Sequence, residues 1–390
     1  MIKRILRHQD GLLTLSFLLL AIVFSAAIGY LKSDSLHAWK YTSDLFTYDT
    51  VLQETLRGHL GLEFNYGNTF GDHAYIFLLL LLPLKLLLQN RMVELLVWLC
   101  PAAGLLSTVV LFFAVRNLKG SLTAVWIAGA SLLSFGLAYR GIYEDLYGFH
   151  PDTFSGYMAV GFSACLIWYH ARREIQRHSA LQLVVFWIFF LLFISLKEEM
   201  ALLGILFFII CVIFERNILH LTALCISLAA TAAEFTFIKF SQTDFNRTNE
   251  ALFSSLLNGI RNKGLVFFFL KPFSSGQLVL VSYWPLLLSC IVAFILLFKY
   301  SLKKNYYALA LFVTGLIKLL FSLSVPDFDL TKWHNFPGVV MLLAGLFWQL
   351  SYLDRGRALI RRSLPAHIFS YLTDWVLRDQ PAFFLYNPPV

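Results

Sequence analysis

The stretch from Ala180 to Phe214, ALQLVVFWIFFLLFISLKEEMALLGILFFIICVIF, decides the fold class of this chain. Two apolar runs flank one charged step, Lys197-Glu198-Glu199. Comparable apolar runs recur along the whole length, which is typical of helices that cross a membrane. Their near-continuous apolarity does not fit the alternating pattern of a membrane β-barrel. We therefore predict an all-α, polytopic transmembrane helical bundle.

The composition supports a membrane location and excludes other classes. The chain has 390 residues, of which 58% are apolar and 14% are charged, whereas a soluble domain carries roughly 25% charged residues. The net charge of +8 comes mostly from lysines and arginines between apolar runs, and no basic segment is long enough to track a phosphate backbone, so we predict no nucleic-acid partner. The five cysteines lie in apolar runs without a CxxC pair, which indicates packing residues.

The basic clusters between apolar runs predict the topology, because cytoplasmic loops are enriched in lysine and arginine. All of these clusters fall inside if the N-terminus is inside and residues 75–89 form a juxtamembrane or re-entrant helix that does not cross. This stretch is a short apolar run broken by Pro83 and Lys85. The run 11–31 is then a retained first helix rather than a cleaved signal peptide. About ten spanning helices remain: 11–31, 93–115, 121–139, 153–170, 180–197, 200–214, 218–238, 278–299, 306–323 and 335–352.

The same topology assigns the segments outside the apolar runs to one side or the other. We predict a transmembrane domain over residues 1–352 and a short cytoplasmic tail over 353–390, in a cytoplasmic (inner) membrane with both termini inside. The predicted external segments include two long loops, 32–92 and 239–277. The shorter ones are 140–152, the turn 197–199 and 324–334.

Five polar motifs fall on this one predicted external side. Charges and imidazoles are costly near hydrocarbon, so their gathering at one end of a helical bundle indicates a polar site. The motifs are Asp44-Leu45-Phe46-Thr47-Tyr48-Asp49, Gly71-Asp72-His73, Phe149-His150-Pro151-Asp152, Lys197-Glu198-Glu199 and Lys332-Trp333-His334.

The acids of the first two motifs have both chemical and structural interpretations. Asp44 and Asp49 would lie some 140° apart on a helix, so we expect only one of them to face a site, where it could act as a general base. The alternative is that they are loop acids that cap a short helix. His73 could bind a lipid phosphate, supply a proton or ligate a metal, and the alternative is a structural histidine.

The remaining motifs lie at predicted helix ends. His150 and Asp152 flank Pro151, which suits a helix start with or without function. Lys197, Glu198 and Glu199 contain no turn-forming residue, which indicates a partly buried network, and Lys197 could hold a phosphate as a point charge. The predicted substrate-binding residues are Asp49, His73, Lys197, Glu198, Glu199, Lys318, Lys332 and His334. Lys318 could instead snorkel to the interface.

The order of these motifs resembles that of a family of bacterial and archaeal polytopic membrane proteins of unassigned function. The resemblance covers roughly residues 40–350 and rests on an Asp-rich first loop, a His motif, a Phe-His-Pro-acid motif, a Lys-Glu-acid motif and a late His. Here Ala74-Tyr75, Gly148 and Asp152 replace the usual Ser-Pro, Asp and Glu.

The layout is also similar to that of lipid-dependent glycosyltransferases with the C-type membrane fold. This resemblance implies that Asp44 is the catalytic base, that 75–89 is the juxtamembrane helix and that Asp152 is the second acid. It further implies a polyprenyl-phosphate sugar as the donor lipid and an inverting transfer at the extracytoplasmic face, with His150 beside Asp152 in the site.

We therefore expect a membrane glycosyltransferase-like protein, with two alternatives. The first is a transporter or lipid flippase with a proton-coupled polar site. The polar motifs lie near one predicted face only, which argues against this alternative. The second is a non-catalytic scaffold with structural ion pairs. No HExxH, Cys-His array or P-loop is present, so we predict no metal site and no cofactor, and a divalent cation stays as an alternative. The expected partners are the sugar lipid and membrane lipids.

Overall fold

The computed structural model describes residues 2–41, 43–62, 67–137, 148–173, 180–241, 306–323 and 336–352. Over these ranges the chain forms helices, with one isolated antiparallel bridge between Leu62 and Asn68 and no strand. The prediction of an all-α bundle is confirmed. The predicted helix 278–299, almost all of the loop 239–277 and the tail 353–390 lie outside these ranges, so the predicted domain division stays a prediction.

In the first part of the chain, several shorter helices lie between one long apolar helix and the next two. Long apolar runs form the long helices, because every backbone N–H and C=O in lipid must be paired within its own segment. In chain order these helices are α1 (Ile2–His37), α2 (Ser43–Leu56), α3 (Thr69–Asp72), α4 (Ile76–Leu80), α5 (Leu82–Leu88), a 3₁₀ turn (Gln89–Arg91), α6 (Met92–Lys119) and α7 (Ser121–Leu137).

The second part is a series of single apolar helices. These helices are α8 (Pro151–Arg173), α9 (Ala180–Ile194), α10 (Glu198–Phe214), α11 (Ile218–Ser241), α12 (Tyr306–Leu323) and α13 (Phe336–Tyr352). Over both parts of the chain, nine of the ten predicted spanning helices fall on described helices. Within α10 the apolar run begins at Met200, so Glu198 and Glu199 precede the membrane-spanning part.

Length and composition identify helices that can cross a membrane. Among the described residues, three stretches are long and apolar enough: Asp10–His37, Leu82–Leu118 and Ile218–Ser241. The second of these contains α5, the 3₁₀ turn and most of α6. Shorter apolar helices are Ala180–Ile194, Tyr306–Leu319 and Pro337–Leu346. The chain is a membrane protein by these criteria.

The segment 75–89 does not cross the bundle. It forms two short helices, α4 and α5, because the chain turns at Leu81 and Pro83 begins a new helix in its first turn. Helices of five and seven residues are far shorter than the roughly 20 residues needed to span a bilayer. The side chains of His37 and Glu94 approach to 3.5 Å, so the end of α1 lies beside the start of α6.

Two kinds of contact hold the bundle together. The ring of Phe162 on α8 lies 5.2 to 6.5 Å from the rings of Phe186, Phe190, Phe193, Phe207 and Phe208 on α9 and α10. Helices α12 and α13 pack backbone to backbone: a Cβ at Gly315 would lie 2.5 Å from the backbone N of Leu342. Small residues permit such close approach of membrane helices.

Candidate functional site

The turn between α9 and α10 places Lys197 inside the bundle. Its side chain is only 3% exposed. The backbone N–H of Phe77 donates to the carbonyl of Ser195 at 2.8 Å, so the start of α4 lies against this turn. Lys197 has an extended backbone, φ −169°, and α10 begins at the next residue. The three adjacent charges thus enter the space between α4 and the helix ends.

Lys197 contacts carboxylates from two helices. Its Nζ lies 3.5 Å from Oδ2 of Asp152, a completely buried side chain in the first turn of α8. It also lies 3.6 Å from Oε1 of Glu199. The other oxygen of Glu199 accepts a hydrogen bond from Lys318 Nζ on α12. The chain Asp152–Lys197–Glu199–Lys318 therefore joins α8, α10 and α12.

The charges around Lys197 keep it ionised. Burial by itself would lower the pKa of the Lys197 ammonium, but the negative charges of Asp152, Glu199 and Glu198 outweigh burial and raise it. Three carboxylates face two ammonium groups, those of Lys197 and Lys318. One negative charge is in excess when the nearby imidazoles are neutral.

His73 holds the remaining acid of this turn. Its Nδ1 lies 2.9 Å from Oε1 of Glu198, and the backbone N–H of Ala74 donates to Oε2 at 3.1 Å. Burial opposes ionisation of Glu198, but the charges of His73 and Lys197 outweigh burial and hold the pKa of Glu198 below its usual value. The His73 side chain is 33% exposed, so this pair faces the outer edge of the cluster.

His150 lies beside Asp152 at the start of α8. The backbone N–H of Asp152 donates to His150 Nδ1 at 3.3 Å, so this ring nitrogen is an acceptor. An acceptor nitrogen cannot also donate, and the 3.5 Å approach of the same nitrogen to Asp152 Oδ2 is therefore not a hydrogen bond in this tautomer. The other nitrogen, Nε2, then carries the proton.

Two tyrosines that the sequence analysis did not single out join these groups. The Tyr48 ring lies 5.8 Å from Tyr75, 5.8 Å from Phe149 and 6.4 Å from His150, centroid to centroid. Burial, together with the negative charges of Asp152 and Glu198, raises the pKa of the Tyr75 phenol well above its usual value. Tyr75 therefore stays protonated and can donate a hydrogen bond.

The two acids of the first motif both lie on helix α2. Asp44 lies in its first turn, four residues before Tyr48, and its side chain is outside the described part of the structure. Asp49 pairs with Lys85 on α5: the Lys85 Nζ lies 2.7 and 2.9 Å from its two carboxylate oxygens. The structure does not bring Asp49 to the cluster around Lys197, and its predicted role in substrate binding stays a prediction.

The sequence-predicted residues thus divide into three groups. The structure brings together His73, His150, Asp152, Lys197, Glu198, Glu199 and Lys318. It places Asp49 apart on Lys85, a partner that the sequence analysis recorded only as a break in an apolar run. Lys332, His334 and the side chain of Asp44 lie outside the described part of the structure.

Glu234 on α11 is a further acid near this cluster. It is 1% exposed, and within the described ranges its Oε2 has no hydrogen-bond partner. The negative charge of Glu198 acts on it. The signal was present in the sequence, because a lone acid within an apolar spanning helix is rare and indicates function, but the five-motif analysis passed over it.

A second polar cluster lies at the opposite end of the bundle. Glu215, which follows α10, accepts a hydrogen bond of 2.5 Å from Tyr306 OH of α12 and one of 3.1 Å from the Asn217 side chain. His170, near the end of α8, approaches the same carboxylate to 3.4 Å. Burial opposes ionisation of Glu215, but these hydrogen bonds and the nearby imidazoles hold its pKa below the usual value.

His220 extends this second cluster to α11. Its Nδ1 lies 2.9 Å from the Glu215 carbonyl oxygen, so Nδ1 donates, and its Nε2 lies 2.8 Å from Tyr307 OH. A neutral imidazole that donates from Nδ1 accepts at Nε2, so the Tyr307 hydroxyl is the donor there. Helices α8, α10, α11 and α12 therefore carry polar groups at both of their ends.

Metal binding has no structural support within the described ranges, where no group of three or more His, Cys, Asp or Glu side chains could hold an ion. The carboxylates of Asp152 and Glu199 already contact ammonium groups.

Comparisons with known proteins give little beyond the fold class. No family model matches the chain, and no curated protein matches it. Among solved structures, the crystal structure of ArnT from Cupriavidus metallidurans in the apo state is similar, with a TM-score of 0.45 and 15% sequence identity. The match covers 86% of this chain and 62% of that chain, so this chain spans less than two thirds of that protein's length. A likeness at this level carries no argument about function.

Proposed function

We propose that this protein transfers a sugar from a polyprenyl-phosphate donor to an acceptor hydroxyl at the extracytoplasmic face of the cytoplasmic membrane. The observation that carries the proposal is the buried ionic cluster of Asp152, Lys197, Glu199 and Lys318 at one end of a membrane bundle. Buried ion pairs are weak evidence for stability. Their concentration at one end is better explained by a polar substrate that has to be bound beside lipid.

The chemical step would be an inverting displacement. Asp44 takes the proton of the acceptor hydroxyl, whose oxygen attacks the anomeric carbon. The bond between that carbon and the phosphate oxygen breaks, and the lipid phosphate leaves with the electron pair. The position of Asp44, one helical turn before Tyr48, supports this role because Tyr48 packs against Tyr75 and His150.

The charge that develops on the leaving phosphate would be stabilised by His73, Lys197 and Lys318. Both lysines contact Glu199 in the described state, so a phosphate oxygen would compete with that carboxylate for their ammonium groups. His73 is the partly exposed member and would meet the phosphate first. Outside the described residues, Lys332 is a further candidate for the phosphate.

The remaining groups would position the sugar and the acceptor. His150 can donate from Nε2 and Tyr75 from its hydroxyl, while Asp152, Glu198 and Glu199 can accept from sugar hydroxyls. Asp49 and His334 keep their predicted places among the substrate-binding residues. Cationic side chains supply the electrostatic part of this mechanism without a metal, and loss of transfer on chelation would instead assign that part to a divalent cation.

Transport of a substrate or flipping of a lipid is a second candidate function. The sequence analysis weighed against it because the polar motifs gathered near one face, and that argument is wrong as stated. The cluster of His170, Glu215, His220, Tyr306 and Tyr307 lies at the opposite end of the same helices. Polar groups at both ends are what a transport path requires.

The test is transfer of a labelled sugar from polyprenyl phosphate by the purified, reconstituted protein. Asp44→Asn should abolish transfer, because an amide cannot take the proton. The matched control is Glu54→Gln on the same helix, whose carboxylate pairs with the exposed side chains of Arg57 and His59. It should leave transfer unchanged.

The outcomes separate the candidates. Transfer that persists in Asp44→Asn removes Asp44 as the base. A wild-type protein that makes no sugar product, yet moves substrate or lipid across reconstituted vesicles, overturns the transferase proposal and supports the second candidate.

A further inference from the structure

Glu234 lies where an ionised carboxylate is poorly accommodated. It sits within α11, one of the three helices long and apolar enough to cross a membrane, and it is 1% exposed. Its Oε2 is buried and has no hydrogen-bond partner among the described residues. A buried carboxylate without a cation or donors is costly, whereas the protonated acid carries no net charge.

The packing of α11 against α10 places Glu234 level with Glu198. A Cβ at Gly204 of α10 would lie 2.8 Å from Ser227 Oγ of α11, so these two residues face each other. Glu198 lies six residues before Gly204, and Glu234 lies seven residues after Ser227. Since the helices run antiparallel, both acids lie about 10 Å along the axis from that contact. Ser227 and Glu234, seven residues apart, share one face of α11.

The charges that face Glu234 are negative or remote. The charged residue of α10 that acts on Glu234 is Glu198, which is negative. The segment after α3 contributes His73, which is bound to Glu198, and α3 itself packs on α11 through Phe70 and Phe237, with ring centroids 5.3 Å apart. On α11 itself, Lys239 is exposed. No described cation contacts the Glu234 carboxyl.

A graded series of titratable groups leads outward from Glu234. The side chain of Glu198 is 12% exposed and that of His73 is 33% exposed, with 2.9 Å between Glu198 Oε1 and His73 Nδ1. Each step therefore lies nearer to water than the one before. Carboxylates and imidazoles are the groups from which proton relays within membrane proteins are built.

We propose that Glu234 is a proton-binding site of this protein, connected to the aqueous phase through Glu198 and His73. The bound species is a proton on the Glu234 carboxyl. On release, Glu234 becomes a carboxylate and the Glu198 carboxylate accepts the proton. Glu198 passes it to Nδ1 of a His73 imidazole that carries hydrogen on Nε2, and the Nε2 proton leaves to water. His73 is then the Nδ1–H tautomer, which donates to the Glu198 carboxylate. The path shares Glu198 and His73 with the proposed sugar-transfer site, but proton binding at Glu234 needs no substrate.

The test is infrared spectroscopy of the reconstituted full-length protein, titrated without substrate. The C=O stretch of a protonated, buried carboxylic acid should be present at neutral pH and absent in Glu234→Gln. In Glu198→Gln the midpoint at which this band disappears should move to lower pH, because the neighbouring negative charge is gone. His73→Gln should keep the band but slow its exchange after a pH jump at least several-fold.

A control within the same helix is Thr236→Ala, whose hydroxyl bonds to the carbonyl of Ala232 in its own helix. It should leave the band and its midpoint unchanged. A neutral-pH band that persists in Glu234→Gln overturns the assignment. If Glu234→Gln does not fold, an unchanged midpoint in Glu198→Gln overturns it equally. Since no sugar lipid is present, these results are separate from the fate of the transferase proposal.

Discussion

Helices α8, α10, α11 and α12 hold two polar clusters of different character, one at each end. At the end that contains Lys197, formal charges meet one another: Asp152, Lys197, Glu199 and Lys318 form a chain of ion pairs. At the end that contains Glu215, one carboxylate accepts hydrogen bonds from the hydroxyl of Tyr306 and the amide of Asn217, and the His170 imidazole lies beside it. The same helices can therefore be joined with few charges or with many.

This difference separates stability from function. One carboxylate with hydroxyl, amide and imidazole partners ties the helices at the Glu215 end, so the fold does not require a network of lysines and several carboxylates of the kind found at the Lys197 end. Burying several ions costs desolvation free energy that their mutual attraction often fails to recover. We infer that the Lys197 end is kept charged because its ligand or its chemistry requires charge.

The largest expected effect is that of Lys197→Met. It leaves the buried Asp152 without the ammonium group and removes one of the two ammonium groups from Glu199, and breaking a buried pair in this way costs about 3–5 kcal/mol. The free energy of unfolding in detergent, followed by tryptophan fluorescence, measures the loss. The same substitution at the exposed Lys239 is the control. Equal stability of the two variants would remove the distinction between the ends.

Tyr306→Phe should have a smaller effect, and on stability alone. It removes the hydroxyl that donates to Glu215, and a hydrogen bond to a charged group contributes about 1.5–3 kcal/mol. The measurement pairs unfolding with the activity of the site, whichever activity is found. Tyr30→Phe, at an exposed position, is the matched control. A large loss of activity in a stable Tyr306→Phe would assign function to the Glu215 end as well.

The contact between His73 and Glu198 predicts a pH-dependent part of the stability. The pKa of Glu198 is below its usual value in the folded protein, so its contribution is present above the ordinary glutamate range and is lost as pH falls through the folded pKa. The difference in thermal midpoint between wild type and Glu198→Gln should therefore be largest at neutral pH and shrink in acid. Parallel curves would show that Glu198 gains nothing from its partners.

The smallest effect is expected at the contact between His37 and Glu94. Both side chains are largely exposed, 67% and 46%, and solvent screens such a pair. His37→Ala should change the free energy of unfolding by less than about 1 kcal/mol. A loss comparable to that of Lys197→Met would show that burial does not distinguish these ion pairs.

Hydropathy and the basic loops predicted much of the candidate site. The motifs at residues 73, 150–152 and 197–199 were assigned to one end before any contact was known, and the structure brings them together with Lys318. The non-crossing segment 75–89 followed from the same topology, although it forms two helices rather than one. Loop charge determines on which side of the membrane a helix end lies, and the length of an apolar run determines where the helix ends. Both can be read from the sequence.

Other features could not be predicted in this way. Lys85 looked like a break in an apolar run, but packing of α5 on α2 makes it the partner of Asp49. The cluster around Glu215 draws single residues from four helices, and no local motif marks it. Tyr75 was noted only as a departure from a pattern, and its burial among carboxylates depends on where the chain between α3 and α4 runs.

By itself the sequence determined that the chain is a membrane bundle of helices and which helix ends share a side, because apolar length and loop charge act locally. Only the tertiary structure decided which acid meets which base. Glu198 and Glu199 are neighbours in sequence, yet one binds His73 and the other binds Lys318. Successive residues on a helix point about 100° apart, so the rotation and packing of α10 select the partners.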